Sequence, residues 1–184
     1  MEQPKSYCEF VEQLEDSNLH RFYHDNQYGF HVNSDNELFG RLILEINQAG
    51  LSWTTILKKQ ENFRIAYSGF DIQKIANYTE KDIKILLNNP GIIRNKLKIN
   101  AAIFNAQMII KIQDDYGSFN AWLKKKHPMS LIDWVKLFKK TFKFTGGEIT
   151  KEFLISTGYL KGAHINSCPI FDKVSHSKPM WNNK

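Results

Sequence analysis

Glu45 and Trp53 are the residues whose types and spacing first suggest chemistry. At 100° per residue Leu38, Leu42 and Ala49 fall on one helical stripe, with Glu45 in its middle. A carboxylate aimed into an apolar face is costly to bury unless something donates to it. Gly50 suits a left-handed helix stop and Ser52 can cap a second helix over 53–67, so Trp53 emerges one tight turn from Glu45. An acid, a large ring and a glycine elbow are parts suited to gripping a flat heterocycle. The same stretch, Leu44 to Trp53, also fits a core tryptophan and a glutamate satisfied by backbone donors or a lysine.

A second constellation joins the two ends of the chain. His164 and Cys168 are four residues apart and can face the same way on a helical turn. Cys8 and His24 could complete a Cys₂His₂ set, which suits tetrahedral zinc with no open position and hence a structural ion. Free cysteines beside two ordinary histidines fit the residues equally well, because the Cys8–His24 spacing is not that of a standard zinc finger. A third element is the compact turn Pro90-Gly91-Ile92-Ile93-Arg94, which enters the N-terminus of a long helix. Backbone N–H groups there, with the positive end of the helix dipole, can hold a phosphate oxygen, and Arg94, Lys96 and Lys98 add charge.

These groups need helices to position them, and the sequence reads as all-α throughout. Ser34 and Glu37 have capping-box spacing. Asp71 can cap a short helix, Thr79 begins another that ends at Asn88-Asn89-Pro90-Gly91, and a long helix runs from about Asn95 to Tyr116. Ser118 caps a helix ended by His127-Pro128, and a helix over 131–140 turns Leu131, Trp134, Val135 and Phe138 inward. Thr141 to Phe144 alternates polar and aromatic over too few residues for a strand, Gly146-Gly147 reads as a loop, and Lys151 to Thr157 as a helix stopped by Gly158. The first thirty residues read as irregular, and the total is nine or ten short helices.

At 184 residues the chain is one domain, 1–184, or two closely fused lobes. Its 42% hydrophobic and 24% charged content is that of a folded soluble protein, which excludes a disordered tail as the main feature. No apolar run approaches a membrane span and no basic-then-apolar leader opens the chain, so the expectation is a cytoplasmic protein. That setting argues against a Cys8–Cys168 disulfide. The net charge of +6 permits an anionic partner, nucleic acid first, without requiring one.

Taken in order, several motifs resemble the bacterial DNA-3-methyladenine glycosylase I family. They are Tyr23-His24-Asp25-Asn26, Gln48-Ala49-Gly50-Leu51-Ser52-Trp53, Lys58-Lys59, Glu61-Asn62, Gly91-Ile92-Ile93-Arg94, Phe142-Lys143-Phe144 with Gly146, and the closing His164 and Cys168. The resemblance implies an all-α helix-hairpin-helix glycosylase fold, its hairpin at about 80–110. It implies one structural zinc per chain, held by Cys8, His24, His164 and Cys168, that joins the N- and C-terminal segments 8–24 and 164–168. Glu45 becomes the base-recognition carboxylate and candidate catalytic residue, with Tyr23 and Trp53 as aromatic partners and Phe10 and Tyr28 in the pocket wall. Phe10, His20 and Tyr28 stand where the family commonly has tryptophan or tyrosine. Gly50 and Leu51 would lie against the gap left in the duplex, and Gly91, Arg94 and Lys96 would contact the DNA backbone.

The implied activity is monofunctional hydrolysis of the N-glycosidic bond of 3-methyladenine in alkylated double-stranded DNA, by a monomer with no membrane partner. No lysine stands out as a Schiff-base nucleophile, so strand cleavage is not expected. The rival is a non-enzymatic, zinc-stapled DNA-binding module that uses the hairpin as a phosphate clamp. Only the pocket residues separate the two, because a backbone binder has no reason to keep Glu45, Tyr23 and Trp53 together.

Overall fold

A computed structural model describes residues 3–183, which contain eleven α-helices, two 3₁₀ turns and no strand. In order they are α1 (Tyr7–Glu12), α2 (Leu19–Asn26), α3 (Asp35–Gln48), α4 (Trp53–Ala66), α5 (Ile72–Ala76) and α6 (Glu80–Asn88). Then follow α7 (Lys96–Tyr116), α8 (Phe119–Lys126), α9 (Leu131–Thr141), α10 (Gly147–Ser156) and α11 (Pro169–His176). The all-α expectation holds. The opening residues are not irregular, however: Ser6 accepts from Glu9 N–H and Asn18 from His20 N–H, and these caps start α1 and α2.

The chain divides into two compact units, one of residues up to Val32 together with those from Leu154 onward, the other Asn33–Phe153. In the terminal unit Cys8, Cys168, Ile170 and Val174 form a small buried core, with Phe30, Phe171 and Trp181 packed against it. Gly29 N–H donates to Ser156 O at 2.9 Å, so the two ends of the chain are sewn together by backbone as well as by side chains.

The central unit is organised around α3, which packs against α4, α5, α7 and α8. Ser34 caps it, and the Asp35 carboxylate accepts from Phe119 N–H (2.7 Å), Asn120 N–H (2.9 Å) and Gln113 (2.7 Å), which fixes α3 to the start of α8. Glu37 does not reach back to complete a capping box. Its carboxylate instead takes Arg41 at 3.3 Å and Arg64 at 2.6 Å. Every residue from Leu38 to Asn47 is buried, so α3 is enclosed all round rather than along one stripe, while Ala49 lies past its end and is exposed.

A second core of Phe119, Trp122, Trp134, Phe138, Phe142 and Phe153 closes the other side of this unit. Trp134 and Phe138 point inward as expected, but Leu131 is exposed and Val135 only half-buried, because α9 offers just one narrow seam. Residues 142–144 form bends after α9, and α10 already begins at Gly147, inside the stretch expected to be a loop. No helix among the described residues is long and apolar enough to cross a membrane.

Candidate functional site

Four side chains from segments far apart in sequence converge in the terminal unit. Cys8, His24, His164 and Cys168 are all buried, and their ligand atoms lie within 4.8 Å of one another. The two cysteines are free thiols. Cys168 caps α11, and with His164 it sits on the turn before that helix, not on a helical turn as the i,i+4 spacing suggests.

The second nitrogens of the two imidazoles settle which atoms face inward. Asp25 can only accept, so His24 Nδ1–H donates to it at 2.6 Å and leaves the Nε2 lone pair toward the group. The Tyr28 carbonyl likewise takes His164 Nε2–H at 2.8 Å and leaves Nδ1 inward. The two nitrogens stand 3.1 Å apart, and their lone pairs repel unless something positive lies between them.

The sulfurs complete the figure: Cys168 lies 3.6 Å from each inward nitrogen and Cys8 lies 3.8 Å from His164 Nδ1. A tetrahedral ion with ordinary N and S bond lengths has edges of about 3.3 Å between nitrogens and about 3.6 Å from nitrogen to sulfur. The donor set therefore fits a metal ion. Burial pushes the Cys8 thiol up to about 11, so a thiolate there needs a cation beside it. Burial also lowers His164 from its ordinary value, more than the Tyr28 bond raises it, which favours the neutral imidazole that a metal ligand has to be.

Tyr23 lies one residue before His24 on α2, buried, with its ring 5.5 Å from that of Tyr28. Tyr28 also stands edge-on to Tyr7 at 5.5 Å and near His164 at 5.8 Å, while Phe10 packs on Tyr7 and His20. Three of the expected pocket residues thus share one aromatic cluster next to the group of two cysteines and two histidines.

In the central unit, Glu45 is 6% exposed, buried as expected, though on a helix that is enclosed on every side. α3 leaves its helical path at Ala49 (ψ 116°), and Gly50 takes φ +82° with nothing within 4 Å of a would-be Cβ. Leu51 N–H closes on Gln48 O at 2.7 Å, and the Gln48 amide donates back to Leu51 O at 3.1 Å. Leu51 is left 38% exposed at the tip. Ser52 then accepts from Thr55 N–H, and Trp53 opens α4 half-buried.

The hairpin joins α6 to α7. Its glycine is there for space: a Cβ on Gly91 would come within 3.0 Å of Asn89 Oδ1 and 3.1 Å of Asn62 Cβ. Asn89 Oδ1 accepts from Gly91 N–H at 2.8 Å, and Lys59 reaches across from α4 to Pro90 O at 2.8 Å. Arg94 and Lys96 are exposed, as a backbone contact needs. Lys98 is not: it is 8% exposed and turned inward, donating to Asn47 O (3.1 Å) and Ala49 O (2.9 Å) at the end of α3. Burial lowers its pKa from the ordinary lysine value. The sequence reading counted Lys98 among the surface charges and missed it, although it shares a stripe with Ala102, Asn105, Ile109 and Ile112 at helical spacing.

A capped hairpin beside a glycine elbow, with an inward carboxylate one turn before the elbow, defines a helix-hairpin-helix protein of the DNA glycosylase kind. A model of the methyladenine glycosylase family matches residues 13–171, and the chain belongs to that family. It is 32% identical to DNA-3-methyladenine glycosylase 1 of Escherichia coli K12 over 169 residues, 82% of this chain and 90% of the relative. Among solved structures it is similar to 3-methyladenine DNA glycosylase I from Staphylococcus aureus, with a TM-score of 0.78 and 31% identity over 85% of this chain and 93% of that one. It is also similar to a single Tyr-to-Phe variant of 3-methyladenine DNA glycosylase I in complex with 3-methyladenine. That match has a TM-score of 0.77 and 30% identity over 85% of this chain and 94% of the other.

Proposed function

We propose that this protein hydrolyses the N-glycosidic bond of 3-methyladenine in alkylated double-stranded DNA, leaving the strand uncut. The observation that carries the reading is Glu45, a carboxylate buried in α3 one tight turn before the Trp53 ring. The family match supports it over a non-enzymatic DNA clamp, since the relatives named above are glycosylases along nearly their whole length. Because the family model runs across both compact units, we read 1–184 as one glycosylase domain, acting as a monomer in the cytoplasm.

Methylation at N3 makes the base formally cationic while it is attached to the sugar, so it leaves neutral and needs no general acid. The work left to the protein is to extract the nucleotide from the stack, which costs a few kcal/mol and is easier for a weakened pair. Arg94 and Lys96 hold the strand at the hairpin, and Leu51, beside Gly50, fills the gap. By the family resemblance, Trp53 stacks on the base, Tyr23 adds a polar contact, and Phe10 and Tyr28 belong to the wall. Glu45 accepts from the adenine edge and favours the cation over neutral adenine, which would leave a buried charge poorly compensated. Water attacks an oxocarbenium-like sugar.

In the terminal unit the four-ligand group is read as structural zinc. When bound it supplies a crosslink and no reaction chemistry, because four protein ligands leave no open position. Cys8 and His24 then fix α1 and α2, and with them Tyr23, to the turn of His164 and Cys168. Asp25 and the Tyr28 carbonyl orient the imidazoles.

The test is to incubate the protein with methylated duplex DNA and chromatograph the supernatant for free bases. Release of 3-methyladenine is expected; intact DNA after prolonged incubation with metal-replete protein would overturn the reading.

A further inference from the structure

α3 ends in an unusual way. The Leu51 N–H reaches only three residues back, to Gln48 O, so the elbow is not closed by the ordinary backbone pattern that follows a helix. The neighbouring carbonyls, of Asn47 and Ala49, are taken instead by one ammonium group from a residue about fifty positions later, Lys98. Its own N–H is capped by Asn95 Oδ1 at 3.2 Å, so its backbone belongs to the first turn of α7, the helix that the hairpin turn enters. A buried lysine has to recover its hydration from the protein, and the negative end of a helix dipole is a suitable place to do so. Met or Leu would fill the same space but donate to neither carbonyl, so the charge serves the elbow and not packing.

We propose that Lys98 is a positioning residue for base extrusion: it ties the phosphate-gripping end of α7 to the last turn of the helix that carries Glu45. Gripping the backbone at Arg94 and Lys96 then fixes where Leu51 stands. The wedge and the base-recognising carboxylate are held in one frame by two hydrogen bonds from one side chain. Without them the elbow is free to rock about Gly50, and the extruded base meets Glu45 less often. This inference rests on the glycosylase reading above.

The experiment compares Lys98→Met, which keeps the apolar stem and removes the ammonium, with the parent and with Lys98→Arg. Two readings are taken on each: single-turnover release of 3-methyladenine, and affinity for undamaged duplex. For Lys98→Met the release rate is expected to fall about tenfold or more. Its affinity for undamaged duplex is expected to change by less than about twofold, because the exposed phosphate contacts are untouched. Lys98→Arg, which again offers N–H donors to both carbonyls, should restore the rate to within about threefold of the parent. Release by Lys98→Met at the parent rate overturns the inference. So does a parallel loss of release, duplex affinity and melting temperature, which is what a merely structural lysine would give. Should Lys98→Met fail to fold, Lys98→Gln, with one amide donor group, takes its place under the same two readings. A parent that releases no 3-methyladenine removes the reading of function and this inference together. Release by the parent beside equal release by the variant overturns this inference alone.

Discussion

Replacing Glu45 by glutamine changes one charge and almost nothing else. The side chains are nearly the same size, and the site is 6% exposed, so no cavity opens and little solvent is there to compensate. Two opposite unit charges about 4 Å apart at an effective dielectric near 20 attract by about 4 kcal/mol, and an amide keeps a hydrogen bond but not that term. Allowing half of it for imperfect geometry, the preference for the methylated over the neutral base falls by roughly 2 kcal/mol, or about thirtyfold. The effect has a direction in time. The base is cationic only while attached to the sugar, so the attraction is strongest before the bond breaks and fades as it does. Glu45→Gln should therefore raise the protein concentration that half-saturates single-turnover excision by more than it lowers the maximal rate. Single-turnover release of 3-methyladenine across a series of protein concentrations separates the two quantities. Melting temperature serves as the control for folding, expected to stay close to that of the parent because the side-chain size is kept. An unchanged half-saturation point beside a much lower maximal rate would refute the reasoning, since it would make Glu45 a group that acts on the transition state and not on recognition.

Cys168→Ser, or a strong chelator on the parent, should remove the metal and lower the melting temperature by on the order of 10 °C, since the core of the terminal unit is small. Elemental analysis finding no zinc in the parent would contradict this. Gly91→Val should push Asn89 and Asn62 apart at the hairpin and weaken binding to every duplex sequence alike, by roughly tenfold at low salt. A sequence-dependent loss would argue against a backbone contact. Burial draws the Glu37 carboxyl upward, but the Arg64 hydrogen bond and the charges of Arg41 and Arg64 outweigh it and hold the pKa below the ordinary value. A depressed carboxyl contributes stability above its unfolded pKa and loses it as pH falls through the folded one. Melting temperature should therefore drop below about pH 4.5 in the parent and less steeply in Glu37→Gln. Parallel curves would contradict the pairing.

Much of this was legible from local signals. The caps at Ser34, Ser52, Asp71, Thr79, Asn95 and Ser118 each stand where a helix starts, because a side-chain oxygen that satisfies an orphan N–H is a local matter. Glu45 announced itself as an acid on an apolar stripe, and the same rule applied to α7 would have found Lys98. What remained hidden depends on partners distant in sequence. Asp35 looks like a first-turn acid of α3 and is in fact the acceptor for the start of α8. Glu37 looks like half of a capping box and pairs instead with Arg64, twenty-seven residues away in sequence. The opening helices were missed because six and eight residues are too few for a periodic apolar pattern, and the packing around Cys8 and Tyr23 stabilises them.

The central claim is that the buried Glu45 carboxylate reads the edge of an extruded methylated purine while Trp53 covers its face. The most direct measurement is a crystal structure of this protein with 3-methyladenine bound. The account predicts a Glu45 oxygen within hydrogen-bonding distance of the base edge and the Trp53 indole stacked on the ring. A base bound elsewhere, or seated here with Glu45 turned away and held by another side chain, would contradict it.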